Sequence, residues 1–269
     1  GTAAITITIS PKNTTAAITS NNNFKFEFEF APYNYTSYYT AQGYSLLESG
    51  KDGIKISNGE LSGIYSGTDT KVMVPEGVTS IKDGLSAGEV PFPKPSLISI
   101  TIPSSVTNIK SSAFSAYTCL TSVIVESGNT VYNSRDNCNA IIETSTNTLI
   151  RGCNNTTIPS GVVNISERAF YDCSSLTSIT IPESVTSIGT NAFSGCTALA
   201  EVYNLSSSIT LTKGSSGNGY LAYYVQDLDA IYISASTPSR ISEENGIKYY
   251  TNSGKAVALT ATNKSIEST

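Results

Sequence analysis

Histidine and tryptophan are both absent from this 269-residue chain. Without histidine there is no Ser-His-Asp or Cys-His nucleophile pair, no imidazole acid–base chemistry and no histidine metal site. Without tryptophan the strongest sugar-stacking side chain is missing, and tyrosine, with 16 copies, is the only abundant aromatic. Charge is scarce: Asp, Glu, Lys and Arg make up 14% of residues, against about 25% in ordinary domains. Ser, Thr and Asn fill the gap, which suits an extracellular surface of short strands and turns. The net charge is −5 and no basic run occurs, which argues against nucleic-acid binding and polybasic attachment to lipid. No stretch approaches the roughly 20 apolar residues of a membrane span. Cys-x-x-Cys pairs, a nucleophile elbow and a phosphate loop are all missing. The expectation is a non-enzymatic protein with no cofactor and no metal. The chain opens Gly1-Thr2-Ala3 without an initiator Met, so the lack of a signal segment says nothing about export.

What is present is a repeat. Ser178-Ile179-Thr180-Ile181-Pro182 echoes Ser99-Ile100-Thr101-Ile102-Pro103, with shorter echoes ending at Pro75 and Pro159. Three residues past each Pro stands Val78, Val106, Val162 or Val185, and six past stands Ile81, Ile109, Ile165 or Ile188. Ala-Phe follows at Phe114, Phe170 and Phe193, and Leu120, Leu176 or Leu199 opens the next unit. The clearest copy runs from Leu176 to Ala198, 23 residues. Its Ser-Ile-Thr-Ile alternates, so Ile179 and Ile181 face inward and Ser178 and Thr180 outward. Pro182 lacks an N–H and ends that strand. Val185 and Ile188 form a second inward run, Gly189 permits a turn, and Ala192-Phe193 packs into the next layer. One unit cannot bury its apolar side alone. Stacked about 4.8 Å apart, the units form ladders of like residues and share one core.

Val-Thr-Ser-Ile-Gly, Ala-Phe and Cys-x-x-Leu at this spacing resemble the BspA-like leucine-rich-repeat family. Tyr132-Asn133-Ser134-Arg135-Asp136-Asn137-Cys138-Asn139-Ala140-Ile141-Ile142 also resembles an insert that recurs there. The resemblance implies a mainly β leucine-rich-repeat solenoid of ~23-residue units, exported and held at the cell surface or outer membrane. It further implies attachment to host or neighbouring-cell proteins, with matrix or plasma proteins as the partner class. A glycan-binding surface protein aiding nutrient capture and a passive spacer are the alternatives.

The copies are unequal. Pro75 to Pro103 is 28 residues, which places a small insertion at Gly88 to Pro95. Pro103 to Pro159 is 56, two units with an excess inside 126–157. There Ala140-Ile141-Ile142 and Thr148-Leu149-Ile150 read as a β-hairpin. Ile54 to Leu61 reads as another hairpin leading into the first coil. At the ends, Phe24-Lys25-Phe26-Glu27-Phe28-Glu29-Phe30 and Ile5-Thr6-Ile7-Thr8-Ile9 alternate as strands. The expected organisation is an N-terminal β region (1–42), a solenoid (43–204) with the 126–157 hairpin insert, and a C-terminal β cap (205–269).

Candidate binding residues fall in two groups. The expected solvent face of the sheet carries Ser99, Thr101, Ser122, Ile124, Ser178 and Thr180, with Ile124 an exposed apolar spot. Tyrosines cluster at the ends: Tyr33, Tyr35, Tyr38 and Tyr39, then Tyr220, Tyr223 and Tyr224. Two readings of them stand, contact area for a partner and packing of the caps. Cys173 and Cys196 occupy equivalent places and read as a ladder of small buried thiols. Cys138 and Cys153 flank the hairpin, and if Glu143 pairs with Thr148 they face each other, which allows a cross-strand disulfide. Ser134-Arg135-Asp136 reads either as a charged binding loop or as a local ion pair fixing a turn. The acidic pairs Asp227/Asp229 and Glu243/Glu244 lack the oxygen-rich loop that calcium needs.

Overall fold

The computed structural model describes residues 34–63, 66–82, 97–110, 113–114, 117, 120–223, 231–232, 239–244, 247–252 and 255–259. The strand patterns at Ile5–Ile9 and Phe24–Phe30 and the Gly88–Pro95 insertion lie outside the described residues, as do Tyr33, Cys119, Tyr224, Asp227 and Asp229.

Each repeat contributes two short strands on either side of its proline. The strands before the prolines form a front ladder: β1 (Ser45–Leu46), β4 (Lys71–Met73), β6 (Ser99–Ile102) and β8 (Ser122–Val125) pair in parallel in that order. The ladder resumes with β13 (Ser178–Ile181), β15 (Glu201–Asn204) and β16 (Ile231–Tyr232). The strands after the prolines form a back ladder. Its first part joins the hairpin β2 (Lys55–Ser57) and β3 (Glu60–Ser62) to β5 (Ser80–Ile81) and β7 (Asn108–Ile109). Its second part runs β9 (Tyr132–Asn133), β10 (Ile141–Glu143), β11 (Thr148–Arg151), β12 (Asn164–Ile165) and β14 (Ser187–Ile188). An antiparallel sheet of β17 (Ile241–Glu244), β18 (Ile247–Asn252) and β19 (Lys255–Ala258) follows.

The repeat pattern explains this geometry locally. After every proline the chain makes the same turn, with the N–H of Val78, Val106, Val162 and Val185 donating to the carbonyl of Pro75, Pro103, Pro159 and Pro182. Serines then tie coil to coil. Ser105 Oγ donates to Val78 O and accepts from Gly77 N, and Ser184 Oγ does the same at Val162 and Gly161. Phe170 and Phe193 stack with ring centroids 4.8 Å apart and planes 6° from parallel, the interlayer spacing of a β ladder. Gly189 is required for space: a Cβ there would lie 2.4 Å from Glu167 N in the preceding coil.

Two large core clusters result, one holding residues from Leu47 to Cys153 and the other from Cys138 to Leu259. Each large side chain so buried contributes about 1.5–3 kcal/mol. Ile209, Leu221, Tyr250 and Leu259, all past residue 204, belong to the second cluster as well. The 3-10 turn Asn218–Tyr220 adds one more rung, with Gly219 O accepting from Phe193 N.

Three readings are corrected. Residues 35–41, assigned by pattern to a β region, form an α-helix, α1 (Tyr35–Ala41). Its N-cap, Asn34, accepts from Ser37 N at 2.7 Å, and Gly43 with φ +80 ends it. The Cys138–Cys153 disulfide is absent, and both residues are buried free thiols. The expected pairing of Glu143 with Thr148 holds, but a bulge between Ile141 and Ile142 shifts the register, so that Ile141 pairs with Arg151. Such a bulge re-aims the side chains beyond it. Cys138 enters the second cluster and Cys153 the first. Arg135 does not pair with Asp136; its Nη1 donates to Asn147 Oδ1 at 3.0 Å.

Candidate functional site

α1 lies across the front ladder and decides which of its residues meet solvent. Tyr35 and Tyr39, one turn apart, share the buried face of the helix. With Tyr44 and Met73 they form a compact cluster against which Ile124 packs. Tyr35 and Tyr44 each pack edge-on against Tyr39, at 5.1 and 5.3 Å. The hydroxyls satisfy the polar ladder beneath: Tyr35 Oη bonds Thr101 Oγ1 at 2.7 Å and Tyr44 Oη bonds Ser99 Oγ at 2.8 Å. Lys71 Nζ stands 5.6 Å from the centre of the Tyr44 ring. A seven-residue helix is too short to hold alone, since isolated helices need about 12–15 residues. This packing sustains it.

Ser99 and Thr101, expected on an open face, are therefore buried at 3% and 0% exposure. Alternation aimed them outward correctly, but the helix covers that side. Ser122 and Ile124 are half-buried, Ser178 is exposed and Thr180 half-buried. At the far end Glu201, opposite Ser178, is wholly buried and accepts from Ser239 Oγ at 2.6 Å and Arg240 N at 2.5 Å. The face is thus covered at both ends and open between them. Of the tyrosines, Tyr35 and Tyr39 are spent on packing, while Tyr38 and Tyr223 are half exposed. Tyr220 packs edge-on against Tyr223 at 5.3 Å.

The open middle is where the front ladder breaks. Beyond β8 the chain interposes Cys138 and Asn139, whose carbonyls accept from Thr157 N and Thr156 Oγ1. The outer edge of β8 is closed by one side chain: Ser134 Oγ accepts from Val125 N at 2.9 Å and donates to Ala140 O at 2.7 Å. That hydroxyl stands in for a neighbouring strand and protects the edge from pairing with another chain. Between β8 and the 135–139 turn lies a cleft of about 430 Å³, lined among others by Ile124, Glu126, Ser127, Asn129, Asn137 and Asn139.

The cleft walls are held by hydrogen bonds. Asn129 donates through Nδ2 to Pro103 O and Val106 O and accepts through Oδ1 from Val131 N and Tyr132 N. Tyr132 Oη accepts from Ile109 N at 3.0 Å, joining the insert to β7. Left-handed backbone at Asp136, Asn137 and Asn139 folds the turn, a conformation Asn and Asp tolerate best among non-glycine residues. Burial, with the negative charge of Glu126 acting on it, pushes the Tyr39 hydroxyl far above its ordinary pKa, so it keeps its proton. None of Glu126, Asn129, Asn137 or Asn139 was singled out by sequence. The available signal was the excess length at 126–157 and its run of Asn. Among the described residues no group of three His, Cys, Asp or Glu side chains is placed to hold a metal, and no helix is long and apolar enough to cross a membrane.

The profile of the BspA type leucine-rich repeat region matches residues 70–150 and 142–216, in six copies. The chain belongs to this family. The BspA-type repeats so matched include both walls of the cleft, and the two matches meet on the hairpin β10–β11. No curated protein matches significantly. Three solved structures do. The pneumococcal vaccine antigen PcpA is 22% identical, with TM-score 0.41, over 54% of this chain and 36% of that one. A leucine-rich cell surface protein from Faecalibacterium prausnitzii is 31% identical, with TM-score 0.39, over 56% and 46%. A leucine-rich-repeat protein from Eubacterium ventriosum is 18% identical, with TM-score 0.37, over 67% and 71%. The chain thus spans less than half of the first two.

Proposed function

We propose that this BspA-type protein is a non-enzymatic recognition and adhesion module of the bacterial cell surface, binding a host or neighbouring-cell protein at the open middle of its front face. The carrying observation is the cleft of about 430 Å³ at the break in the front ladder. The regular positions of the repeat are spent on core packing and coil-to-coil hydrogen bonds, so selectivity falls to what departs from it. Family membership supports surface exposure and a protein partner. A glycan site has less support: Tyr132, the tyrosine that lines the cleft, is buried and its hydroxyl accepts from Ile109 N, so its ring is not offered for a sugar to stack on.

The test is binding of the purified chain to a panel of immobilised matrix and plasma proteins, read by interferometry. One panel member is expected to bind saturably, and Ser127→Trp, which adds bulk to the cleft lining at an exposed position without left-handed backbone, is expected to abolish it. A folded chain that binds no panel member and no host cell above background overturns the reading.

A further inference from the structure

We propose that Arg151 holds a small inorganic anion of the chloride class inside the fold, at the seam between the two large core clusters. The inference is independent of the adhesion reading above. Arg151 ends β11, paired with Ile141 at the bulge, and only 1% of it is exposed. Its Nη1 donates to the carbonyl of Arg168 at 3.2 Å and to that of Tyr171 at 3.3 Å. Its Nε and Nη2 are buried and find no acceptor among the protein's own atoms. These two nitrogens span one edge of the planar guanidinium, the edge that grips an acceptor bidentately. Cys153 belongs to the first cluster, and Cys173 and Cys196 to the second. The Arg151 charge acts on all three thiols, so the guanidinium stands where the two clusters meet.

A guanidinium does not give up its proton, and a buried charge without a partner is costly. Among the described residues no carboxylate forms an ion pair with Arg151. Asp172, whose charge also acts on Cys173 and Cys196, sets its carboxylate against Gly195 of the next coil, where an added Cβ would meet Oδ1. The thiols supply no negative charge at neutral pH, because burial raises all three. A water molecule satisfies the two N–H groups but leaves the charge unbalanced. A small anion does both. Depth decides its class: a carboxylate or phosphate on a partner's surface cannot reach a residue that is 1% exposed, whereas a monatomic ion can be enclosed as the coils close. Bound only to the folded chain, such an ion stabilises it by mass action.

The experiment has two arms. In the first, the chain is refolded and crystallised in sodium bromide, and anomalous scattering locates the halide. A bromide peak is expected within hydrogen-bonding distance of Arg151 Nε and Nη2. In the second, urea unfolding is followed as sodium chloride replaces sodium gluconate at constant total salt. The midpoint is expected to rise with chloride in wild type and in Lys82→Gln, which removes an exposed cation elsewhere. Arg151→Met, which keeps an unbranched stem without the charge, is expected to lose the chloride dependence. The crystal and the wild-type titration need no variant, so they decide the matter if Arg151→Met does not fold. An ordered water at that edge with no anomalous signal overturns the proposal. So does a bromide peak there with equal midpoints in chloride and gluconate, the mark of an adventitious ion only. A chloride dependence that survives in Arg151→Met overturns it as well.

Discussion

The hydroxyl of Tyr35 meets Oγ1 of Thr101 at 2.7 Å across 66 residues of chain, and both groups are buried. The same hydroxyl lies 3.2 Å from the Thr101 carbonyl oxygen. A helix before the repeats is thereby fixed to their third front strand. Tyr35→Phe removes the hydroxyl and strands the Thr101 side chain without its partner, at a cost of about 1–3 kcal/mol. Urea denaturation measures it. Tyr35→Phe/Thr101→Val, which removes both polar groups, is expected to recover most of the loss. No recovery in the double variant would mean that the hydroxyl pair does not anchor α1.

Phe170 and Phe193 stack at 4.8 Å, and two glycines make room for them and for the coil beneath. A Cβ at Gly152 would lie 2.2 Å from Phe170 Cε1, while one at Gly189 would meet backbone of Glu167. Phe193→Ala should cost about 3–5 kcal/mol. Gly152→Ala and Gly189→Ala should each cost about 1–3 kcal/mol. Their response to a second change should differ. Phe170→Leu relieves the clash at Gly152 and so couples favourably with Gly152→Ala, but it offers nothing to Gly189→Ala, where the obstacle is backbone. A thermodynamic double-mutant cycle for each glycine distinguishes the two.

The periodic positions were legible because burial and period coincide in them: Ile179, Ile181, Val185, Phe193 and Leu199 lie in one cluster. The hairpin register was legible as far as Ile142 with Leu149. The bulge that follows was not, because alternation does not mark where one extra residue is absorbed. Beyond it Cys138 and Cys153 fall in different core clusters. α1 had caps in the sequence, Asn34 before it and Gly43 after, but the alternating phenylalanines upstream suggested continued strand. The misplacement of Ser99 and Thr101 has a different cause. Alternation says which side of a strand a residue leaves from, and nothing about what chain returns to cover that side. The cleft was illegible for the same reason: Glu126 and Asn137, eleven residues apart, line one cleft where the chain turns through left-handed backbone at Asp136 and Asn137.

Asn129 is the clip that shapes that turn region. Its amide makes four hydrogen bonds, to Pro103 O, Val106 O, Val131 N and Tyr132 N, at 2.7–3.0 Å. Asn129→Ala leaves two carbonyls and two N–H groups seeking water and should cost about 3 kcal/mol. Asn129→Asp keeps the acceptor and loses both donors, so it should fall between alanine and wild type near neutral pH. Hydrogen exchange should locate the damage at β9 and at Ile109 N, which Tyr132 holds. Global exchange with no local bias would show that Asn129 acts on the core as a whole and not on the insert.

The four described thiols are all buried, and this gives the protein an alkaline limit. Burial raises the Cys173 thiol from the usual 9.0 to about 11, against the opposing charge of Arg151. Burial likewise raises Cys196 well above 9.0. A raised thiol keeps its proton in the folded state where the unfolded chain has lost it. The unfolded state therefore binds fewer protons above pH 9, and stability falls as pH rises. The contribution is intact below pH 9 and for Cys173 is lost between 9 and about 11. Each thiol steepens the fall by about 1.4 kcal/mol per pH unit within its window. Urea midpoints from pH 8 upward should show this slope in wild type and a shallower one in Cys173→Ala. Reductant should leave the neutral-pH midpoint unchanged, because no described cysteine is in a disulfide. An equal alkaline slope in wild type and Cys173→Ala would place the titrating groups elsewhere, in the tyrosines or lysines.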